Sequence, residues 1–182
     1  MIAGIAAGAL LAATPFMADG GRFLWLGAGL LVGVRGLANI LDGMVAIESK
    51  RASRLGELFN EVPDRVSDAA LLVGLGFAAG GTPLLGFGAA LAAVFTAYVR
   101  AMAKVAGAPQ DYRGPMAKPH RMAVIVAACA LGTVMPGWMD QRPDAIPLPP
   151  ATAALWLVVA GCVVTSARRL ARSAAFLREP RS

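Results

Sequence analysis

The stretches Leu41-Asp42-Gly43-Met44-Val45-Ala46 and Leu55-Gly56-Glu57-Leu58-Phe59-Asn60-Glu61-Val62-Pro63-Asp64-Arg65-Val66-Ser67-Asp68 set carboxylates and amides into the ends of two strongly apolar segments. In a bilayer such groups are costly, and they usually serve an ion or substrate site. Residues three or four apart share a helix face. Arg35, Asn39, Asp42 or Gly43, and Ala46 therefore form one stripe, and Gly56, Asn60, Asp64 and Asp68 form another. Facing each other, the stripes offer oxygen donors suited to a hard divalent cation such as Mg²⁺ or Mn²⁺. Gly43 and Ala46 leave room for a ligand to approach the first helix closely, and Gly56 allows either the same or a tight helix entry.

The rest of the chain agrees with a membrane setting. Of its 182 residues, 57% are hydrophobic, and mean hydropathy is +0.62, whereas a soluble domain shows roughly 45–50% apolar residues. Ala and Gly dominate, and small residues allow close helix contact in lipid. A crossing helix needs about 20 mostly apolar residues. Six spans are expected: Ile2–Met17, Phe23–Ile47, Glu57–Gly80, Leu84–Ala106, Met122–Val134 with an extension to Met139, and Ala151–Leu170. No strand alternation of the barrel kind occurs. The expected fold class is thus an all-α integral membrane protein, a six-transmembrane-helix bundle, with residues 1–182 as a single membrane domain. The first run lacks the basic flank of a signal peptide and reads as a span. It is short for one, which leaves a start upstream of Met1 open. Cys129 and Cys162 both lie in apolar runs, with no CxxC or Cys/His cluster. They read as small buried hydrophobes, not zinc ligands.

The formal charge of +6 lies between and after the spans, without aromatic-basic interleaving, which argues against nucleic acid. Its distribution sets an orientation. Lys50, Arg51 and Arg54 follow the second span; Arg113, Lys118 and Arg121 follow the fourth; Arg168, Arg169, Arg172, Arg178 and Arg181 lie at or beyond the end of the sixth. The intervening loops carry few charges. The positive-inside rule then puts both termini in the cytoplasm of a protein integral to the cytoplasmic membrane. Asn39, Asp42, Asn60, Asp64, Asp68, Arg100, Lys118 and Arg121 all fall on that same side, which is where an active site is expected.

The spacing resembles the signature of the CDP-alcohol phosphatidyltransferases, membrane enzymes of phospholipid synthesis. Their pattern, Asp-x2-Asp-Gly-x2-Ala-Arg-x8-Gly-x3-Asp-x3-Asp, falls on Asn39, Asp42, Gly43, Ala46, Ile47, Gly56, Asn60 and Asp64. Every Gly and Ala matches, as do two of the four acids; Asn39, Asn60 and Ile47 depart from it. The resemblance implies that Asp42 and Asp64 are metal ligands, with Asn39, Asn60 and Asp68 completing the set. It implies that Asp64 is also the catalytic base that activates an acceptor alcohol, and that Gly43, Ala46 and Gly56 line a nucleotide site. Asn keeps a carbonyl oxygen but no charge. The two lost charges weaken metal affinity unless Glu61 or Asp68 compensates; Asp68 extends the stripe by one turn and is the better candidate, against a competing role as a salt-bridge partner of Arg65 or Arg100. Arg35 is expected to neutralise a neighbouring acid.

A second segment, Asp111-Tyr112-Arg113-Gly114-Pro115-Met116-Ala117-Lys118-Pro119-His120-Arg121-Met122, offers three cations and a Gly-Pro turn. Arg113, Lys118, Arg121 and Arg100 are candidate phosphate binders, since phosphate favours Arg forks and Lys point charges. The arginines after the sixth span are expected to face anionic headgroups. The implied reaction takes a CDP-linked lipid such as CDP-diacylglycerol and an alcohol, releases CMP, and needs Mg²⁺ or Mn²⁺. A phosphorylated acceptor is favoured by the basic loop, and a homodimer is left open. Two rivals are a small cation transporter, disfavoured because the polar groups reach only one side, and a catalytically silent relative, motivated by the three motif departures.

Overall fold

Each apolar run folds as a helix. The computed structural model describes residues 1–17, 21–49, 54–139 and 147–178, and for residues 40 and 42–60 it describes no side chain. The elements are α1 (Ile2–Ala13), a 3₁₀ turn (Thr14–Phe16), α2 (Arg22–Ser49), α3 (Arg54–Phe77), α4 (Pro83–Val105), α5 (Lys118–Val134), the single turn α6 (Pro136–Met139) and α7 (Pro150–Arg178). All regular structure among the described residues is helical.

Three boundaries differ from expectation for local reasons. The first helix stops at Ala13, because Pro15 begins a 3₁₀ turn and Thr14 Oγ1 accepts a hydrogen bond from the Ala79 backbone N–H at 2.9 Å. The fifth starts at Lys118, earlier than Met122, since Pro119 suits a helix N-terminus. The basic segment therefore belongs partly to the first turn of α5. The last helix continues past Leu170 to Arg178, carrying the arginines on a rigid rod.

The six long helices close into a ring, α3–α1–α2–α5–α7–α4 and back to α3. The core runs through it on Leu11, Trp25, Leu71, Leu75, Ile125 and Leu155, all 0% exposed. Small residues set the tightest crossing. A Cβ added at Gly74 would lie 2.2 Å from the Gly8 carbonyl oxygen, so the α1 and α3 backbones touch where a side chain would separate them. Outward faces are apolar as well. Leu26, Leu30, Val34, Leu37 and Leu41 form an exposed stripe on α2, and Leu84, Phe87, Leu91, Phe95 and Tyr98 form one on α4. Exposed apolar area of this extent needs an apolar neighbour. Among the described helices, Pro83–Val105 and Pro150–Arg178 are long and apolar enough to cross a membrane.

Candidate functional site

At one end of the ring, α2, α3, α4, α5 and α7 converge on a cavity of about 460 Å³. Its wall includes Asn39 from α2, Glu61 and Asp64 from α3, Arg100 from α4, and Lys118 and Arg121 from α5. Four segments distant in sequence thus meet as the charge pattern implies.

Asp64 faces this space at 18% exposure. One carboxylate oxygen accepts a hydrogen bond from Lys118 Nζ, and the other lies 3.3 Å from Arg35 Nη2. Pro63, one residue earlier, sits inside α3 and lacks a backbone N–H, so the helix gives up one ladder bond beside the site. One turn on, Asp68 is 2% exposed and fully engaged. Arg35 Nη2 donates to it at 2.6 Å, Arg121 Nη2 donates to it at 3.1 Å, and Arg65 Nη1 stands 3.8 Å away. Its partners are thus Arg35, Arg121 and Arg65; no ion pair joins it to Arg100. Arg35 and Arg121 are themselves 5% and 2% exposed. A buried carboxylate is tolerated only when it is paired and hydrogen-bonded in this way.

Arg100 pairs with Glu61 at 2.5 Å, and its guanidinium carbon lies 4.8 Å from the centre of the Tyr112 ring. On the other side of Arg100 opens a second, more apolar cavity of about 460 Å³, lined by Val94, Ala97, Tyr98, Ala101 and Val105. Arg113 turns away from both. It is 79% exposed and pairs with Asp111 at 3.2 Å. Of the four candidate phosphate binders, Arg100, Lys118 and Arg121 share the first cavity, and Arg113 lies apart.

The side chains of Asp42, Gly43, Ala46, Gly56 and Asn60 lie outside the described residues. Their helices are described. Asp42, Gly43 and Ala46 follow Asn39 along α2, and Gly56 and Asn60 precede Asp64 along α3. Among the described residues no three His, Cys, Asp or Glu side chains converge. The donor set that Asp64 and Asn39 begin, with Asp42 and Asn60 one turn away on the same helices, is all oxygen. That chemistry fits Mg²⁺ or Mn²⁺.

Sequence reasoning missed the α7 contribution. Arg169 is 5% exposed rather than turned to headgroups. It donates from Nε to the Arg113 carbonyl and from Nη1 to the Thr96 carbonyl, both at 3.1 Å. Thr165 Oγ1 accepts from the Met116 backbone N–H at 3.0 Å, and Arg172 pairs with Asp111 at 2.7 Å. Thr165, Arg169 and Arg172 recur at helical spacing, the one local signal that they share a face. Gly114 lies at φ +147 in this loop, where an added Cβ would strike Thr165 at 2.4 Å. The loop between α4 and α5 is thus laid directly on α7.

No family model matches the chain. It is 28% identical over 131 residues to the inner membrane protein YnbA of Escherichia coli K12, covering 72% of the chain and 62% of that protein. The chain thus spans less than two thirds of the length of this relative. It is also 28% identical over 177 residues to the phosphatidylinositol phosphate synthase of Mycobacteroides abscessus, covering 93% of the chain and 73% of that protein. Its fold matches, over all of the chain, crystal structures of the Mycobacterium tuberculosis phosphatidylinositol phosphate synthase at 20% identity and a TM-score of 0.70. One of them holds CDP-diacylglycerol, and the match covers 88% of its chain; the other holds manganese and citrate, and the match covers 84% of its chain.

Proposed function

We propose that this chain, which belongs with the CDP-alcohol phosphatidyltransferases by motif, sequence similarity and fold, transfers a phosphatidyl group from CDP-diacylglycerol to an alcohol and releases CMP. The observation that carries this is the position of Asp64. It is the last acid of the motif, and it faces a cavity ringed by cations between five helices. Similarity to a phosphatidylinositol phosphate synthase and to a structure holding CDP-diacylglycerol supports the donor. The acceptor is an alcohol, with a phosphorylated one favoured by the surplus of cations.

The residues have separable tasks. Asp64 takes the proton of the acceptor hydroxyl. The alcohol oxygen attacks the phosphorus that carries diacylglycerol, the bond from that phosphorus to the CMP oxygen breaks, and CMP leaves. Arg35 and Lys118 hold the Asp64 carboxylate in place. Lys118 and Arg100 present charge to diphosphate oxygens, and the apolar cavity beside Arg100 suits the lipid portion of the donor. Most of the rate gain comes from positioning and charge neutralisation. Asp42 and Asp64, with Asn39 and Asn60, would hold a divalent ion, which when bound supplies charge neutralisation at the diphosphate; manganese in a related structure supports this. Six membrane spans, both termini in the cytoplasm and a site on that side belong to the same reading, supported by the loop charges and the outward apolar stripes.

The test is acceptor-dependent CMP release by purified protein in detergent–lipid micelles supplied with CDP-diacylglycerol, Mg²⁺ or Mn²⁺, and a pool of alcohols. Splitting the pool names the acceptor. One observation favours a second reading, a silent relative: Asp64 carries Lys118 while two motif acids are amides. That reading requires Asp64→Asn to be without effect in cells.

A further inference from the structure

Two cavities flank Arg100, one polar and one apolar, and both are lined by Glu61, Arg65, Ala97 and Arg100. The partition between them is therefore built from side chains of α3 and α4. Its polar part is a chain of ion pairs. One Glu61 carboxylate oxygen accepts from Arg100 Nη2 at 2.5 Å, and the other accepts from Arg65 Nη2 at 3.1 Å. The transfer steps above give Glu61 no task. Yet it occupies Arg100, the cation that those steps assign to a donor phosphate.

The partition is weakest at Glu61. Its side chain is 40% exposed, against 18% for Asp64 and 2% for Asp68. An ion pair with one partner so open to solvent is held weakly, whereas pulling Asp68 from two buried guanidinium groups is strongly unfavourable. Each cation also keeps a second contact when Glu61 swings away. Arg100 keeps the Tyr112 ring, 4.8 Å from its guanidinium carbon, and Arg65 keeps Asp68 at 3.8 Å. Arg100 is only 14% exposed, so whatever replaces the carboxylate must itself be an anion. Phosphate oxygens make the same charge-assisted contact with a guanidinium. On the far side, Val94, Ala97, Tyr98, Ala101 and Val105 offer a surface for hydrocarbon. The ligand chemistry that fits both sides is a phosphate joined to an apolar tail.

We propose that Glu61 is a gate. Its carboxylate closes the partition by holding Arg100, and it yields Arg100 to the phosphate of an incoming phospholipid, so that the two cavities join. Glu61 is thus a positioning residue for the lipid donor. The proposal rests on the transfer reading, but lipid binding tests it without turnover. The full chain in zwitterionic micelles is titrated with dioleoyl phosphatidate, and bound lipid is counted by native mass spectrometry. Dioleoylglycerol, which lacks the phosphate, is the reference. Glu61→Gln should bind phosphatidate about threefold to fivefold tighter, the scale of one partly exposed ion pair, with no gain for dioleoylglycerol. Glu61→Ser is the second variant, should the first fail to fold, and elution and melting check each protein. In an Arg100→Met background the same substitution should change nothing, since the cation that the two anions share is gone. A general charge repulsion would persist there. In CMP assays Glu61→Gln should lower the KM for CDP-diacylglycerol, whereas a loosened fold would lower kcat. Unchanged or weaker phosphatidate binding by Glu61→Gln overturns the gate, as does a gain that survives in Arg100→Met. Tighter phosphatidate binding without CMP release keeps the gate and removes transfer; CMP release with unchanged phosphatidate affinity removes the gate and keeps transfer.

Discussion

Asp64 and Asp68 are one helical turn apart and have opposite fates. Asp64 lies at the cavity, where its charge is available to a ligand; Asp68 is enclosed by Arg35 and Arg121, where its charge is spent on the fold. The stripe was legible from spacing alone, because i, i+4 periodicity puts both on one face. Which acid is open and which is sealed was not, since that depends on α2 and α5 reaching α3 from 33 and 53 residues away. The pairing of Arg35 with an acid was legible, as a lone buried guanidinium is untenable. Its removal should be costly. Arg35→Met leaves Asp68 short of one partner and should destabilise the protein by about 3–5 kcal/mol, seen as a clear fall in the thermal midpoint in mild detergent. A midpoint unchanged within error would mean the cluster carries no structural weight.

At the scale of elements, helices follow from apolar runs, whereas the tie between the α4–α5 loop and α7 follows from tertiary packing. Arg169 and Arg172 looked like headgroup ligands because their sequence neighbourhood is only basic. The structure gives them the Arg113 carbonyl and the Asp111 carboxylate instead. Burial alone works against Asp111 ionising, but hydrogen bonds from Arg172 and from the backbone and side chain of Arg113 outweigh it and hold its pKa at about 2, below the ordinary 3.8. A depressed folded-state value means this tether is complete above the ordinary pKa and is lost as pH falls toward 2. Limited proteolysis by an acid-tolerant protease should therefore cut the 106–117 loop faster near pH 2 than at pH 5, and Asp111→Asn should be cut fast at both. Equal rates throughout would show that the loop is held by other contacts. The α1–α3 crossing gives a second prediction. Gly74→Val drives a side chain into the Gly8 carbonyl and should cost about 1–3 kcal/mol or more through overpacking, measured as loss of folded, monodisperse protein. Gly33→Val, with nothing within 4 Å of the added Cβ, is the control expected to be silent.

Over the whole molecule, a ring of helices buries a small-residue core and turns apolar stripes outward, while charged groups gather at one end. That polarity was readable because loop charges and intrahelical polar residues coincide on one side. The expected metal ligands Asp42 and Asn60 and the expected nucleotide-lining positions Gly43, Ala46 and Gly56 have side chains outside the described residues. Orientation can be tested directly. In a background with Cys129 and Cys162 replaced by Ala, a cysteine at Ala106 should react with a membrane-impermeant maleimide only after the membrane is opened. One at Gly137 should react from outside in intact cells. The reverse pattern would invert the topology and move the site to the other face. The central claim is chemical, and the most direct measurement is the stoichiometry of transfer. Purified protein, CDP-diacylglycerol, a divalent ion and the selected alcohol should yield CMP and a new phospholipid in equal amounts. Asp64→Asn should yield neither while melting like the wild type. CMP without new phospholipid, or undiminished transfer by Asp64→Asn, would contradict the account.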